Sequence, residues 1–393
     1  MKLKVAFYYH IPITIKNKNL FLPGFLGLFI NSLAKSVDKL YLLMHKAKLE
    51  DEIIADCKLE SRNIVWINLG YKGSAFERTI NSKRIINNAF KKNYDIDVLI
   101  VRAPTPLGVF FYYHRPKNIK IVYLIVGDYF DTAQRVKIKN LRDFFVKSYL
   151  YSISYYFNFI SKKSDVIVNS PSLYQTFKPK AKSTKIISTT NLSAGDFYNR
   201  IDTCQGNIIR LLYVGRIDLY KGLNELIKSI SKVKKNLSYS LELHIVGWED
   251  NGSSSTTDYL KKIAGDLGLN DQVYFHGYVK YGKDLNEFYR MSDIFIMPTY
   301  FESFPRTIFE AMANSLPVIS TDVGSIPYFL KNEVNSLLIK PKNYELISSC
   351  IIKMVNQKKL RKKIIEEGRK LATRFTQKEQ MKLIVKYLEG YLK

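Results

Sequence analysis

Cysteine is scarce in this chain: Cys57, Cys204 and Cys350 are the only three among 393 residues. They are too few and too far apart for a disulfide framework or a Cys-x-x-Cys metal knuckle, and they suit a reducing compartment. Histidine is almost as sparse, and His10, His45, His114, His244 and His276 show no metal-ligand spacing. No apolar run reaches the ~18 to 20 residues that a membrane-spanning helix needs, because Lys, Arg, Asp or Asn interrupts every candidate. The apolar stretch near the start is short and reads as a buried strand rather than a signal peptide, so the protein is expected in the cytoplasm. Acidic residues are the last shortage. There are 35 Asp and Glu against 61 Lys and Arg, a net charge of +26, of which +18 lies in residues 1–200 and +8 in 201–393.

Such a field concentrates anions: nucleic acid, acidic lipid headgroups or phosphorylated substrates. No RNA-binding motif accompanies it, so nucleic acid is not an expected partner. Coding bias toward Lys, Asn, Ile and Tyr remains an alternative source of the excess. Apolar residues at 46% and charged ones at 24% are ordinary for a globular protein, and the length calls for two domains or more.

From residue 208 onward, short apolar runs alternate with amphipathic helical patterns. Strands are predicted at 208–214, 241–246, 273–275, 294–297, 318–320 and 337–339, with helices such as 223–233 and 258–267 between them. Continuous apolar strands alternating with helices mean a parallel sheet covered on both faces, a Rossmann-like domain. Residues 1–200 repeat the rhythm less cleanly. Strands are predicted at 3–8, 39–44, 64–67, 98–102, 121–126 and 165–169, and helices at 26–35, 78–91 and 141–162. The polar stretch 191–207 reads as a linker. The expected organisation is α/β, with doubly wound parallel-sheet domains at 1–200 and 201–375, and a helix at 376–393 free to cross back to the first. In such sheets ligands bind outside the carboxyl ends of the strands, so a site should face a cleft between the halves.

The most specific segment runs from Pro298 through Glu302, Ser303, Phe304, Pro305, Arg306 and Thr307 to Glu310, then on to Pro317 and Thr321. A strand end, a loop carrying Glu302, and Pro305 in the first turn of a helix would aim backbone N–H groups at an anion, with Glu310 one and a half turns further on. The spacing of Glu302 and Glu310, followed by Ala-Met-Ala and Pro-Val-Ile-Ser-Thr-Asp-Val-Gly, resembles the signature of retaining nucleotide-sugar glycosyltransferases of family four (glycosyl transferases group one), which have the GT-B fold. Upstream, Gly215-Arg216 to Lys221-Gly222 is similar to that family's phosphate-binding segment. His244-Ile-Val-Gly247, Val273 to Val279 and Ser292 to Pro298 follow in order.

The resemblance implies roles. Arg216 and Lys221, just after a strand end, would hold the donor diphosphate and stabilise it as it leaves. Glu310 would bind ribose hydroxyls and Glu302 the donor sugar. The backbone from Ser303 to Arg306 would support the diphosphate or the sugar, with Thr307 also among the donor-binding residues. Gly277, Tyr278 and Val279 would flank the base, mainly through backbone groups, and Gly215 and Gly247 would also belong to the donor-binding set. Gly24, in the reduced glycine-rich turn Pro23 to Gly27, would let the diphosphate approach, a bare turn being the alternative. Arg102, at a strand end, is a candidate for the acceptor side, an interdomain salt bridge being the alternative. The reaction implied is sugar transfer from a nucleotide-sugar to a saccharide or lipid-linked saccharide of a bacterial surface polysaccharide, with no metal or cofactor. Asp95 and Asp97 formally match a metal-binding Asp-x-Asp, yet precede a strand on the side away from the expected cleft.

This chain also departs from the pattern. Ser303 replaces a frequent glycine, and Pro305 removes one N–H donor. The histidine that relatives carry at a first-domain strand end is missing; at that place Asp128 is a positional candidate for a catalytic or acceptor-side role. The aromatic-rich stretch from Phe144 to Lys163 and the apolar stretch from Phe21 to Phe29, with the +18, suggest peripheral contact with an anionic membrane, core packing being the alternative. A nucleotide-sugar epimerase or a non-catalytic nucleotide-sugar-binding protein on the same fold is the competing function.

Overall fold

The computed structural model describes residues 3–48, 54–136, 138, 140–234, 239–249 and 255–391. The chain divides into two units, Met1–Asn191 with Gln377–Lys393, and Leu192–Thr376.

In the first unit seven strands form one parallel sheet: β1 (Lys4–Tyr8), β2 (Lys39–Lys46), β3 (Ile64–Tyr71), β4 (Val98–Ala103), β5 (Lys120–Ile125), β6 (Asp165–Val168) and β7 (Ser183–Ile186). Their spatial order is β7-β6-β5-β4-β1-β2-β3. After β1 the chain winds outward through β2 and β3, then returns to β4 on the other side. The switch point is therefore between β1 and β4, where such sheets leave a crevice for ligands. The inner strands β1, β2, β4, β5 and β6 are buried on both faces, as their continuous apolar character requires, while the edge strands β3 and β7 are partly exposed. A small antiparallel sheet of Thr14–Lys16, Asn19–Leu22 and Cys57–Lys58 lies apart.

The final helix, Gln377–Glu389, belongs to this first unit. Met381, Ile384 and Leu388 join the core beneath β1 and helix Gly24–Ser36, and Gln380 accepts from the Ser188 N–H at 2.9 Å. The stretch read as a linker is anchored instead. Asp202 pairs with Arg361 at 2.7 Å, both nearly wholly buried, and Asp196 accepts from Asn286 and Tyr281. These bonds draw residues 192–207 into the second unit and move the boundary to 191/192 rather than 200. The predicted helix 78–91 is two helices, Ala75–Ile80 and Ser82–Ala89, separated at Asn81.

The second unit carries six parallel strands: β8 (Ile208–Val214), β9 (Ser240–Val246), β10 (Val273–Gly277), β11 (Ile294–Met297), β12 (Val318–Thr321) and β13 (Leu337–Ile339). Their order, β10-β9-β8-β11-β12-β13, puts the switch point between β8 and β11. Helices cover this sheet too, completing a second Rossmann-like domain.

Candidate functional site

The loops leaving β8 and β11 meet at the second unit's switch point, and the backbone explains how. Asp218 accepts from the Tyr220 N–H at 2.8 Å and starts the single turn Leu219–Lys221. Gly222 ends it at φ +68°, where a Cβ would stand 2.1 Å from the Pro298 carbonyl oxygen, so only glycine lets this turn seat against the other loop. The Tyr300 N–H donates to the Tyr220 carbonyl at 2.8 Å, locking the two loops together. Lys221 Nζ then lies 2.9 Å from Glu302 Oε2, both side chains about 15% exposed. The Glu302 carbonyl accepts from the Ser325 N–H at 3.0 Å, which fixes its own loop.

Arg216 is half exposed and 3.7 Å from Asp218. Its carbonyl accepts from the buried Tyr213 hydroxyl at 2.7 Å, pinning the backbone just past Gly215. Gly247 approaches so closely that a Cβ there would lie 1.7 Å from the Gly215 carbonyl oxygen, and its N–H donates to the Gly277 carbonyl at 2.8 Å. The ends of β8, β9 and β10 are thereby drawn into one rim. On that rim the half-exposed rings of Tyr278 and Trp248 meet edge to face at 5.9 Å, while Val279 packs on the core.

Helix Arg306–Ala313 starts one residue later than the sequence suggests, with Pro305 as its cap residue instead of in its first turn. The Phe304 ring is buried among Phe309, Phe329 and Phe375, so only its backbone can face a ligand. Thr307 Oγ1, at the start of this helix, is buried with no hydrogen-bond partner among the described residues. Glu310 is buried too, and its Oε2 accepts from the Tyr289 hydroxyl at 2.9 Å. Burial pushes the Glu310 carboxyl above the usual range, with Arg306 opposing and Asp196 adding to the shift. One site thus gathers Gly215, Arg216, Lys221, Glu302 and the first turn of the Glu310 helix along the β8–β11 edge. Tyr289 and Trp248 were not anticipated. The helical spacing of Tyr289 reads as core, but an aromatic directly after the strand-end Gly247 was a usable signal.

In the first unit, Gly24 is the first residue of helix Gly24–Ser36 rather than part of a loop before it, and a Cβ on it would meet the Asp56 carboxylate at 3.4 Å. Asp128 caps helix Tyr129–Arg135 by accepting from the Phe130 N–H at 2.9 Å. The Arg102 guanidinium lies 4.8 Å over the Tyr9 ring and 5.7 Å over Phe25. Asp95 pairs with the Lys4 side chain and Asp97 accepts from the Lys4 N–H at 2.8 Å, so both tie down strand starts. Among the described residues no group of three His, Cys, Asp or Glu side chains is placed to hold a metal ion. His244 Nδ1 and His276 Nε2 are 2.9 Å apart, a pair within the β9–β10 layer. Of the two apolar stretches, Phe21 to Phe29 is mostly buried, with Leu22, Leu26 and Phe29 in the core; helix Leu141–Ser161 instead exposes Leu141, Phe144, Phe145, Tyr155, Tyr156 and Phe159.

The chain is similar to several known proteins. Residues 205–371 match the family model described as glycosyl transferases group 1. An uncharacterized glycosyltransferase of Methanocaldococcus jannaschii is 31% identical over 160 residues, 41% of this chain and 39% of that protein. The capsular polysaccharide biosynthesis glycosyltransferase CapM of Staphylococcus aureus is 32% identical over 159 residues, 40% of each chain, so both matches span well under two thirds of the relative's length. Protein CapJ of the same organism is 26% identical over 375 residues, 92% of this chain and 86% of its own. Among solved structures, sucrose-phosphate synthase of Thermosynechococcus elongatus superposes with a TM-score of 0.74 at 16% identity, covering 100% of this chain and 99% of that one. Anabaena HepE in complex with UDP gives 0.66 at 17%, covering 99% and 100%. Through residues 205–371 the chain is thus similar to glycosyl transferases group 1, and its fold is GT-B, with two Rossmann-like domains.

Proposed function

We propose that the protein is a retaining glycosyltransferase that moves a sugar from a nucleotide-sugar donor to a saccharide or lipid-linked saccharide acceptor in bacterial surface polysaccharide synthesis. The observation that carries the reading is the Lys221–Glu302 contact at the β8–β11 switch point, beside Arg216 and the start of the Glu310 helix. Cations next to a helix N-terminus suit a diphosphate, and a buried carboxylate next to them suits hydroxyl groups. The likeness to CapM, named for capsular polysaccharide biosynthesis, supports the polysaccharide context.

In this reading the donor diphosphate lies against Arg216, Lys221 and the Ser303 to Thr307 backbone, with the Thr307 hydroxyl available to it. Glu310, held by Tyr289, takes the ribose; Glu302 turns from Lys221 toward the sugar; Tyr278 and Trp248 border the base. The acceptor hydroxyl attacks the anomeric carbon on the face the nucleotide leaves. The bond from that carbon to the phosphate oxygen breaks, and the hydroxyl proton passes to the departing phosphate. Negative charge grows on the diphosphate, so fixed positive groups stabilise the transition state more than the ground state and perform the neutralisation otherwise supplied by a metal.

No described helix is long and apolar enough to cross a membrane. The exposed aromatic face of helix Leu141–Ser161, with Arg142, Lys147, Lys162 and Lys163 beside it, supports peripheral docking on an anionic leaflet in the cytoplasm, where a lipid-linked acceptor would be met. The central test is thermal-shift screening with UDP, GDP and ADP sugars, since a ligand at 100 times its dissociation constant adds about 2.7 kcal/mol. Lys221→Ala should abolish that shift and lower turnover by ~10²-fold. Unchanged affinity and turnover in Lys221→Ala would overturn the assignment.

A further inference from the structure

The first unit's switch point carries a second cluster of chemistry. The carboxyl ends of β1, β2, β3 and β4 lie side by side, and each delivers a basic group. His10 follows β1, His45 closes β2, Lys72 follows β3 and Arg102 ends β4. Arg78, on helix Ala75–Ile80, is 6% exposed, and its charge acts on His10, His45 and Tyr8.

Arg78 and His10 each hold a buried nitrogen that no described residue partners. Arg78 Nε donates to the Ser74 carbonyl at 3.3 Å, but its Nη1 is buried with no partner, as is Nδ1 of His10. Among the described residues, no carboxylate pairs with Arg78. Its nearest acidic neighbour in sequence, Glu77, turns back to cap its own helix at the Ser74 N–H, 2.7 Å away. Burial, and then the charges of Arg78, Lys72, Arg102 and His45, push His10 down to about 3; each of these influences is unfavourable to its protonation.

A buried guanidinium without an anion is costly, because desolvation is repaid only when a partner fills the fork. Among the described residues no carboxylate fills the Arg78 fork, and the cluster sits where doubly wound sheets bind ligands. We propose that it seats an oxyanion, a phosphate or a carboxylate carried by the sugar acceptor, with Arg78 as the bidentate donor and His10 and Arg102 flanking it. The inference rests on the transferase reading for the word acceptor, and on this cluster alone for the anion. It makes the acceptor an anionic saccharide, phosphorylated or uronic, rather than a neutral one.

The test is calorimetric titration of the full chain with inorganic phosphate, methyl glucuronide and neutral methyl glucoside, and separately with UDP, GDP and ADP. Phosphate or the glucuronide should bind wild type saturably and the glucoside should not. Arg78→Gln should weaken the anion at least tenfold, leave nucleotide binding unchanged and raise the melting temperature without anion, since it removes an unpaired buried charge. Lys221→Ala should do the opposite, losing nucleotide and keeping the anion. Should Arg78→Gln fail to fold, His10→Gln carries the same binding expectation. No anion binding to wild type, or anion binding that follows Lys221 instead of Arg78, overturns the inference while nucleotide binding still stands. Loss of nucleotide binding in wild type overturns the transferase reading instead.

Discussion

Acid should loosen the first unit through two histidines. Burial, aided by Arg78, pushes His45 down to about 4, and His10 falls to about 3, against a usual 6.5. Both are neutral when folded and free to protonate when unfolded, so below pH 6.5 the unfolded chain binds more protons and stability falls with pH. The contribution is complete above pH 6.5 and is lost progressively toward 4 for His45 and 3 for His10. At pH 5, about 1.5 units below the unfolded value, each histidine removes about 2 kcal/mol, at ~1.36 kcal/mol per unit. Together they cost about 4 kcal/mol, a large part of a domain's stability. The two tryptophans supply the assay, because Trp66 lies in the first unit and Trp248 in the second. Trp66 Nε1 donates to the Met44 carbonyl at 2.9 Å, one residue from His45. In a Trp248→Phe background, urea midpoints followed by Trp66 fluorescence between pH 7.5 and 5 report this unit, in a bis-tris chloride buffer free of phosphate. His10→Gln/His45→Gln should flatten the dependence by about 4 kcal/mol, and saturating phosphate should flatten the wild type if its oxyanion favours protonated His10. Parallel pH curves for wild type and the double variant would refute the reasoning.

Tyr289→Phe leaves the Glu310 carboxylate buried without its donor; it should cost about 1 to 3 kcal/mol and weaken nucleotide-sugar binding while Lys221 and Glu302 stay intact, as calorimetry would read. Gly247→Ala places a methyl 1.7 Å from the Gly215 carbonyl oxygen, so the Trp248 unfolding transition should move down by several kcal/mol with that of Trp66 unmoved. Phe145→Ser/Tyr155→Ser strips two of the most exposed aromatic rings from helix Leu141–Ser161 and should abolish co-sedimentation with vesicles rich in phosphatidylglycerol, leaving nucleotide affinity as it was. Wild-type docking should also fade with salt, as contacts to a charged leaflet are screened beyond ~8 Å at physiological ionic strength; wild type that ignores such vesicles at low salt would assign the +18 to composition.

The two units differ in how much of them could be read. In the second, the strand predictions at 208–214, 294–297 and 337–339 coincide with β8, β11 and β13, because continuous apolar runs bounded by glycine leave little choice of element. Its candidate site was legible because the residues cluster: Arg216 and Lys221 share one turn, and Glu302 and Glu310 flank the next strand–helix loop. In the first unit, β7 escaped detection since Ser183–Ile186 is short, polar and at the sheet edge, where one face needs no apolar side chain. The stretch Phe21 to Phe29 looked like a surface face because composition cannot tell a buried helix from a docking one; packing against the final helix decides that, and its contacts are long-range in sequence. The basic cluster was invisible for the same reason. His10, His45, Arg78 and Arg102 are spread over 93 positions, and only the outward winding from β1 through β3, followed by the return to β4, makes them neighbours. Local motifs are legible where one loop makes the site. Where a sheet assembles it from four strand ends, the signal lies in the topology, and the charge excess of the first half was its one trace in the composition.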